Sequence, residues 1–348
     1  MPLSDDDFIV TAMTHPSGMN VTRVRSGWEE NIVSTPPLFP YDLSPSVFTT
    51  EQGWWFSREG GEGLGSSIFF VRSEDTIELA RVNVRRHARM AWLPVRGDEP
   101  RGVMISIPDE PSALHVSEIT PSGAKRIALF PWPESPASRR SLMDSRWSAE
   151  GISGNRIAVV STDGPEGVLG LKLRIVGGGM EPIESDLPCP VIIDHPLDTA
   201  VDGSGRLAIV GLSREQTVVA MIVDPDQPHS ARCRVISGPE EVAARPPFGT
   251  PSVVWTGERF VAGWIRDDGT VRAAELGELG AHPLIINVGA DAAVDHPLRE
   301  LVHADGEYVR FIWRERSGGF VERSLPKRLS AHALATDLWH LLCAAYGA

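Results

Sequence analysis

Two short stretches carry the residue types that most readily do chemistry. Asp194-His195-Pro196-Leu197 and Asp295-His296-Pro297-Leu298 are near copies of each other, and each histidine stands ten residues before a glycine (195 to 205, 296 to 306). An imidazole with a carboxylate beside it can bind a divalent cation or move a proton near neutral pH. The same tetrapeptide also suits a turn. Proline fixes φ where a strand begins, aspartate caps the turn through its side chain, and histidine hydrogen-bonds the backbone. Both readings stay open on the residues alone.

A second set is cationic. Arg214, Arg266 and Arg316 occupy comparable places just past an apolar run, each among acidic neighbours. Guanidinium groups arranged over successive units grip carboxylates bidentately, as on an acidic peptide. The alternative is a solvated rim whose pairs contribute roughly 0–1 kcal/mol each. Of the ten tryptophans, Trp255, Trp264 and Trp313 fall within apolar runs and read as core, whereas Trp28, Trp54 and Trp55 are harder to place.

Several chemistries find no signature here. Gly60–Gly65 and Gly177-Gly178-Gly179 lack the lysine or helix that a phosphate-binding loop needs, and there is no Gly-x-Ser-x-Gly elbow or His-Glu-x-x-His pair. No cofactor is therefore expected. A formal charge of -13 over 348 residues opposes nucleic acid and anionic membrane surfaces as partners. Cys189, Cys233 and Cys343 are far apart and form no metal-ligand spacing, so they read as reduced thiols in a cytoplasmic protein. The start, MPLSDDDFIV, lacks the features of a signal peptide, and no apolar run nears the roughly 18 residues needed to span a bilayer.

The elements that must position these residues repeat. Turn glycines stand at Gly53, Gly102, Gly154, Gly205, Gly257 and Gly306, so the intervals are 49, 52, 51, 52 and 49 residues. One interval before Gly53, Phe8-Ile9-Val10 begins the same kind of strand, which predicts about seven units of about 50 residues. In the clearest unit, Ser252–Trp255, Phe260–Ile265 and Thr270–Leu276 form an antiparallel meander around turns at Gly257 and Gly269. The strands are apolar at consecutive positions, as in Phe260-Val261-Ala262-Gly263-Trp264, so both faces are covered. The unit starting near Ser44 ends near Val82. The next, Met90–Leu129, is the least regular. Residues 1–6 leave room for only a brief first strand, unless the C-terminal end helps close the ring.

The run Pro251-Ser252-Val253-Val254-Trp255-Thr256-Gly257-Glu258-Arg259-Phe260-Val261-Ala262-Gly263-Trp264 resembles a blade of the bacterial seven-bladed β-propellers. The resemblance implies an all-β, seven-bladed β-propeller of four-stranded antiparallel blades over residues 1–328. It also implies that one end of the axis gathers the functional loops. Residues 329–348 break the pattern: Leu334, Leu338, Leu341, Leu342 and Ala345 share one face of an amphipathic helix, with Ser330 as N-cap. That helix packs on the rim, or docks a partner or a second copy. The expected function is non-catalytic binding of a peptide or protein, as in an accessory protein to a peptide-modifying pathway. Its ligand set is Asp194, His195, Asp295, His296, Arg214, Arg266 and Arg316. The alternative is a metal-assisted lyase or hydrolase at the channel mouth, resting on the two Asp-His-Pro loops.

Overall fold

In the computed structural model the chain folds into antiparallel sheets. Side chains are described for 102–103, 115–118, 120, 125–130, 148–162, 170–189, 197–213, 215–238, 243, 251–277, 283–294, 301–304 and 307–327; elsewhere only the backbone of the strands named below is described. The first sheet holds β1 (Pro2–Ser4), β2 (Asp7–Thr14), β3 (Gly18–Arg25) and β4 (Trp28–Ser34). The second holds β5 (Val47–Thr50), β6 (Gly53–Glu59), β7 (Ser66–Arg72) and β8 (Asp75–Val82). The third holds β9 (Met90–Val95), β10 (Arg101–Ser106), β11 (Ala113–Thr120) and β12 (Gly123–Pro131). The fourth holds β13 (Trp147–Ile152), β14 (Arg156–Asp163), β15 (Gly170–Gly177) and β16 (Ile183–Leu187). The fifth holds β17 (Ile193–Val201), β18 (Leu207–Ser213), β19 (Val218–Val223) and β20 (Arg232–Val235). The sixth holds β21 (Ser252–Trp255), β22 (Phe260–Ile265), β23 (Val271–Leu276) and β24 (Ile285–Gly289). The last holds β25 (Val302–Asp305), β26 (Tyr308–Arg314) and β27 (Phe320–Pro326).

Every strand pairs with its sequence neighbour, so each sheet is a meander. Among the described residues the last sheet has three strands where four were expected. The first strand is as brief as the sequence implied. The turn glycines also differ in place. Gly154, Gly205 and Gly257 lie in the turn between first and second strands with positive φ, whereas Gly53 opens β6 and Gly102 lies inside β10. The terminal helix expected over 329–348 lies outside the described residues. Among the described residues no helix is long and apolar enough to cross a membrane.

Two compact units divide the chain, Met1–Val159 with Arg174–Glu184, and Val160–Leu173 with Ser185–Ala348. In the first, Val103, Val116, Phe130, Ile157 and Val159 form a dry core. Arg174 is almost fully buried there. Its guanidinium lies 5.4 Å from the centre of the Phe130 ring and its Nε donates to Glu184 at 2.7 Å. The glycine run 177–179, which matched no phosphate loop, is a turn packed on another turn. A Cβ at Gly178 would sit 2.8 Å from the Gly154 carbonyl, and its φ of 64° is left-handed.

In the second unit the cores lie between successive sheets. Val210, Leu212 and Val218 of the fifth sheet meet Phe260, Ala262 and Trp264 of the sixth. Val261, Ala273 and Ile286 of the sixth meet Val302, Phe311 and Trp313 of the last. All of β18 and all of β22 are buried, which is why their sequences are apolar without alternation. The outer strand β20 is only partly covered and reads polar.

The first strands of successive sheets are also tied by side chains. Asp198 of β17 accepts from the Val253 N–H at 2.8 Å. The buried Ser252 hydroxyl of β21 accepts from the Leu301 and Val302 N–H groups, both at 3.1 Å. The Pro-Ser-Val signature of the sixth sheet thus serves the sheet that follows it.

One sequence reading is corrected. Cys189 and Cys233 are joined by a disulfide, with their Cα atoms 4.9 Å apart, and are not free thiols. The two are 44 residues apart, but one follows β16 and the other lies in the next outer strand, β20. The repeat brings outer edges together that linear spacing separates.

Candidate functional site

The candidate site is the end of the second unit where turns between second and third strands meet the segments leading into the next sheet. Three of these turns share one hydrogen-bond plan. Ser213 N–H donates to Thr217 O at 2.9 Å, Arg266 N–H to Thr270 O at 2.8 Å, and Glu315 N–H to Gly319 O at 2.8 Å. The fourth residue of each turn is left-handed: Gln216 (63°), Gly269 (88°) and Gly318 (99°). This is the geometry of a tight hairpin closed by a bulge.

The leading segments plug into these turns. Ala243 donates its N–H to Gln216 O at 3.0 Å and forms a bridge with Arg266 of the following sheet. Ala292 repeats the arrangement, donating to Gly269 O at 2.9 Å and bridging Glu315. Both alanines are fully buried. Gly269 is required by the same packing, since a Cβ there would lie 2.9 Å from the Ala292 carbonyl.

Asp268 is the charged centre of this end. Its Oδ1 accepts from Thr270 N–H at 2.8 Å, its Oδ2 pairs with Arg266 at 3.3 Å, and its carbonyl accepts from the Arg316 guanidinium at 2.7 Å. Burial pushes its carboxyl up. The hydrogen bonds from Thr270 and the charges of Arg266 and Arg272 outweigh that and hold it below the ordinary aspartate value.

Numbered from the hydrogen-bonded residue, Arg266 is the first residue of its turn and Arg316 the second of the next, so they are out of step by one. Each spends donors on the same turn, 266–269. Arg316 therefore fastens the last sheet to the sixth, while Arg266 pairs within its own turn, which spacing alone did not reveal.

Asp194 and His195 lie in the backbone of β17. The register there jumps from Ile193 opposite Ser213 to Leu197 opposite Gly211, so 194–196 form a bulge beside the Ser213 turn. A proline fits a bulge because it has no N–H to give the ladder. Arg214, Asp295 and His296 lie outside the described residues. Among the described residues no group of three His, Cys, Asp or Glu side chains is placed to hold a metal ion.

Sequence reasoning passed over Asp198, Ala243 and Ala292, and read Ser252 only as part of the blade motif and Asp268 only as an acidic neighbour of Arg266. A signal for the first existed: the residue following the two tetrapeptides differs, Asp198 against Arg299.

No protein-family model and no curated protein matches the chain. Among solved structures it is similar to oligogalacturonate lyase in complex with manganese, at 9% identity over 92% of this chain and 97% of that one, with a TM-score of 0.55. It is also similar to a mutant of AofleA from Arthrobotrys oligospora, at 12% identity over 83% of this chain and 85% of that one, with a TM-score of 0.50. A fungal lectin from Aleuria aurantia, of six-bladed β-propeller fold, aligns at 11% identity over 82% and 96% of the two chains with a TM-score of 0.46. At such identities the likeness is one of fold.

Proposed function

We propose that the seven sheets close into a seven-bladed β-propeller, and that the protein is a non-catalytic binding module. It presents the turn end of its sheets to a peptide or protein partner. The observation that carries this reading is the paired seating of Ala243 and Ala292. Each leading segment is hydrogen-bonded to the turn of its own sheet and bridges the turn of the next, so loops about 50 residues apart share one surface. On this surface Asp194, His195, Asp295, His296 and Arg214 are the contact residues. Arg266 and Arg316 brace the turns that hold them.

Capture of a partner from native extract tests it. The triple variant His195→Ala/His296→Ala/Arg214→Ala is expected to lose capture while keeping the thermal midpoint of the parent. Unchanged capture would remove this face from the reading. Metal analysis of the purified protein separates the enzyme reading: stoichiometric metal lost on His195→Ala/His296→Ala would favour a metal-assisted lyase or hydrolase. Removing residues 329–348 tests whether the terminal segment docks the partner or a second copy.

A further inference from the structure

The bond between Cys189 and Cys233 lies at an edge and not in a core. Both residues are part-exposed, and both belong to the second compact unit. Every residue of β18 and of β22 is buried, whereas neither cysteine is a member of the apolar core between the fifth and sixth sheets. Cys233 sits in β20, the last strand of its sheet, which among the described residues makes its backbone ladder with β19 alone. A strand held on one side opens more readily than one held on both.

Each cysteine is also held by its own backbone. Cys189 stands between Pro188 and Pro190, which narrow its conformational freedom. Its N–H donates to the Leu187 carbonyl at 2.8 Å, closing a tight turn behind a buried leucine. Cys233 is set opposite Met221, with Arg232 opposite Ile222 and Arg234 opposite Ala220. Successive strand residues point to opposite faces, so Cys233 looks away from its two arginine neighbours. The arginines line a cleft of about 640 Å³ at the opposite end of the fifth and sixth sheets. Its floor is apolar, formed by Ile222, Leu276, Trp255 and Phe260, and Arg234 reaches across it to the Gly277 carbonyl at 2.9 Å. One face of β20 is thus a wall of the cleft, and the other carries the sulfur bond.

We infer that Cys189 and Cys233 are a redox-active pair whose co-reactant is a dithiol, and that their bond is a clasp on the outer wall of this cleft. Exchange needs access to a sulfur, and part-exposed residues at an outer edge provide it. A thiolate of the dithiol attacks one sulfur and forms a mixed disulfide, while the other cysteine leaves as a thiolate and takes up a proton. The second thiol of the reagent then displaces the first cysteine. Two electrons pass from the dithiol to the pair, so the reagent ends as a disulfide and the protein as two thiols. Closed, the clasp ties β20 to the segment that follows β16. Open, it leaves the backbone of β20 to its ladder with β19. Neither backbone anchor depends on the bond, so the two sulfurs stay within reach and the clasp can close again. The contact residues proposed at the turn end take no part in it, so either reading can fail alone.

The test treats the full chain, first equilibrated with oxidised glutathione, with dithiothreitol in the absence of denaturant, followed by alkylation and peptide mapping. Cys189 and Cys233 are expected to be protected before dithiothreitol and alkylated after it, and to pair again on return to oxidised glutathione. The far-ultraviolet circular dichroism should stay unchanged throughout. Hydrogen exchange of the amides of 232–235 is expected to be at least about tenfold faster in the reduced protein, with β18 and β22 unaffected. Cys189→Ser/Cys233→Ser should show the fast amide exchange under both conditions, and Cys343→Ser should leave the response intact. If the double variant does not fold, the reduced parent supplies the same reading. Four results would each overturn the inference: a bond that opens only in denaturant, cysteines that stay unpaired in oxidised glutathione, loss of the dichroism signal on reduction, or equal amide exchange at 232–235 in both states.

Discussion

The two ends of the fifth and sixth sheets use the same residue type in opposite ways. At the turn end, Arg266 and Arg316 converge on Asp268: Arg266 pairs with its carboxylate inside one turn, and Arg316 reaches its carbonyl from the next sheet. At the cleft end, Arg232 and Arg234 project from an outer edge strand over an apolar floor. What separates the two cases is the strand beneath. Inner and middle strands are covered by adjacent sheets, so a cation there is drawn to the nearest carbonyl or carboxylate. The edge strand β20 is only partly covered: Arg232 there is exposed, and Arg234 reaches the Gly277 carbonyl.

The sharpest way to break the comparison is to remove what both ends share. Trp264 is fully buried between the fifth and sixth sheets. Trp264→Ala is expected to cost about 3–5 kcal/mol in urea unfolding and to lower amide-exchange protection at both ends. A loss confined to one end would mean that the ends are held independently.

Gly269→Ala comes next. It adds a left-handed alanine and a Cβ 2.9 Å from the Ala292 carbonyl. The expected cost is about 2–4 kcal/mol, read as a lower denaturant midpoint, with the response of the Cys189–Cys233 bond to dithiothreitol unchanged.

Acid compares the ends through their aspartates. Asp202, at the cleft end, accepts from Ser204 N–H and Oγ and from Arg206 N–H and Nε, all at 2.7–2.9 Å. Burial pushes its carboxyl up, but these bonds prevail and hold it below the ordinary aspartate value. Asp268 is held low in the same way at the turn end. A depressed carboxylate stabilises the fold above its unfolded pKa and loses that contribution as pH falls through the folded pKa. Stability is therefore expected to drop below about pH 4. Asp202→Asn is expected to flatten that limb more than Asp268→Asn, because Asp202 is buried and Asp268 is half exposed. Equal flattening would mean that the two turns are energetically alike.

Arg232→Ala should give the smallest stability change, within about 0.5 kcal/mol, because the side chain is exposed and, among the described residues, has no ion pair. It sharpens the contrast: a cation is removed at the cleft end while the unfolding curve stays put. A loss of stability as large as that of Gly269→Ala would mean that Arg232 is a brace as well.

Much of the fold was legible along the chain. The meander Ser252–Trp255, Phe260–Ile265 and Thr270–Leu276 reappears as β21, β22 and β23 with at most one residue of difference. Hydrophobic runs and turn glycines are local signals, so their order and period survive in the bare sequence. The site was legible only in part. The bulge at Asp194-His195 was foreshadowed by Pro196, a local cue. The sharing of Asp268 by two arginines was not, because it joins residues 48 apart.

By itself, then, the sequence determined that short strands repeat about every 50 residues, with covered inner strands and polar outer ones. Those properties follow from side-chain polarity and backbone preference within a few residues. Tertiary structure alone decided that Arg316 reaches the turn of the preceding sheet, and that Cys189 meets Cys233. Each of these depends on the distance between neighbouring sheets, a quantity that no stretch of chain specifies until its neighbour is packed against it.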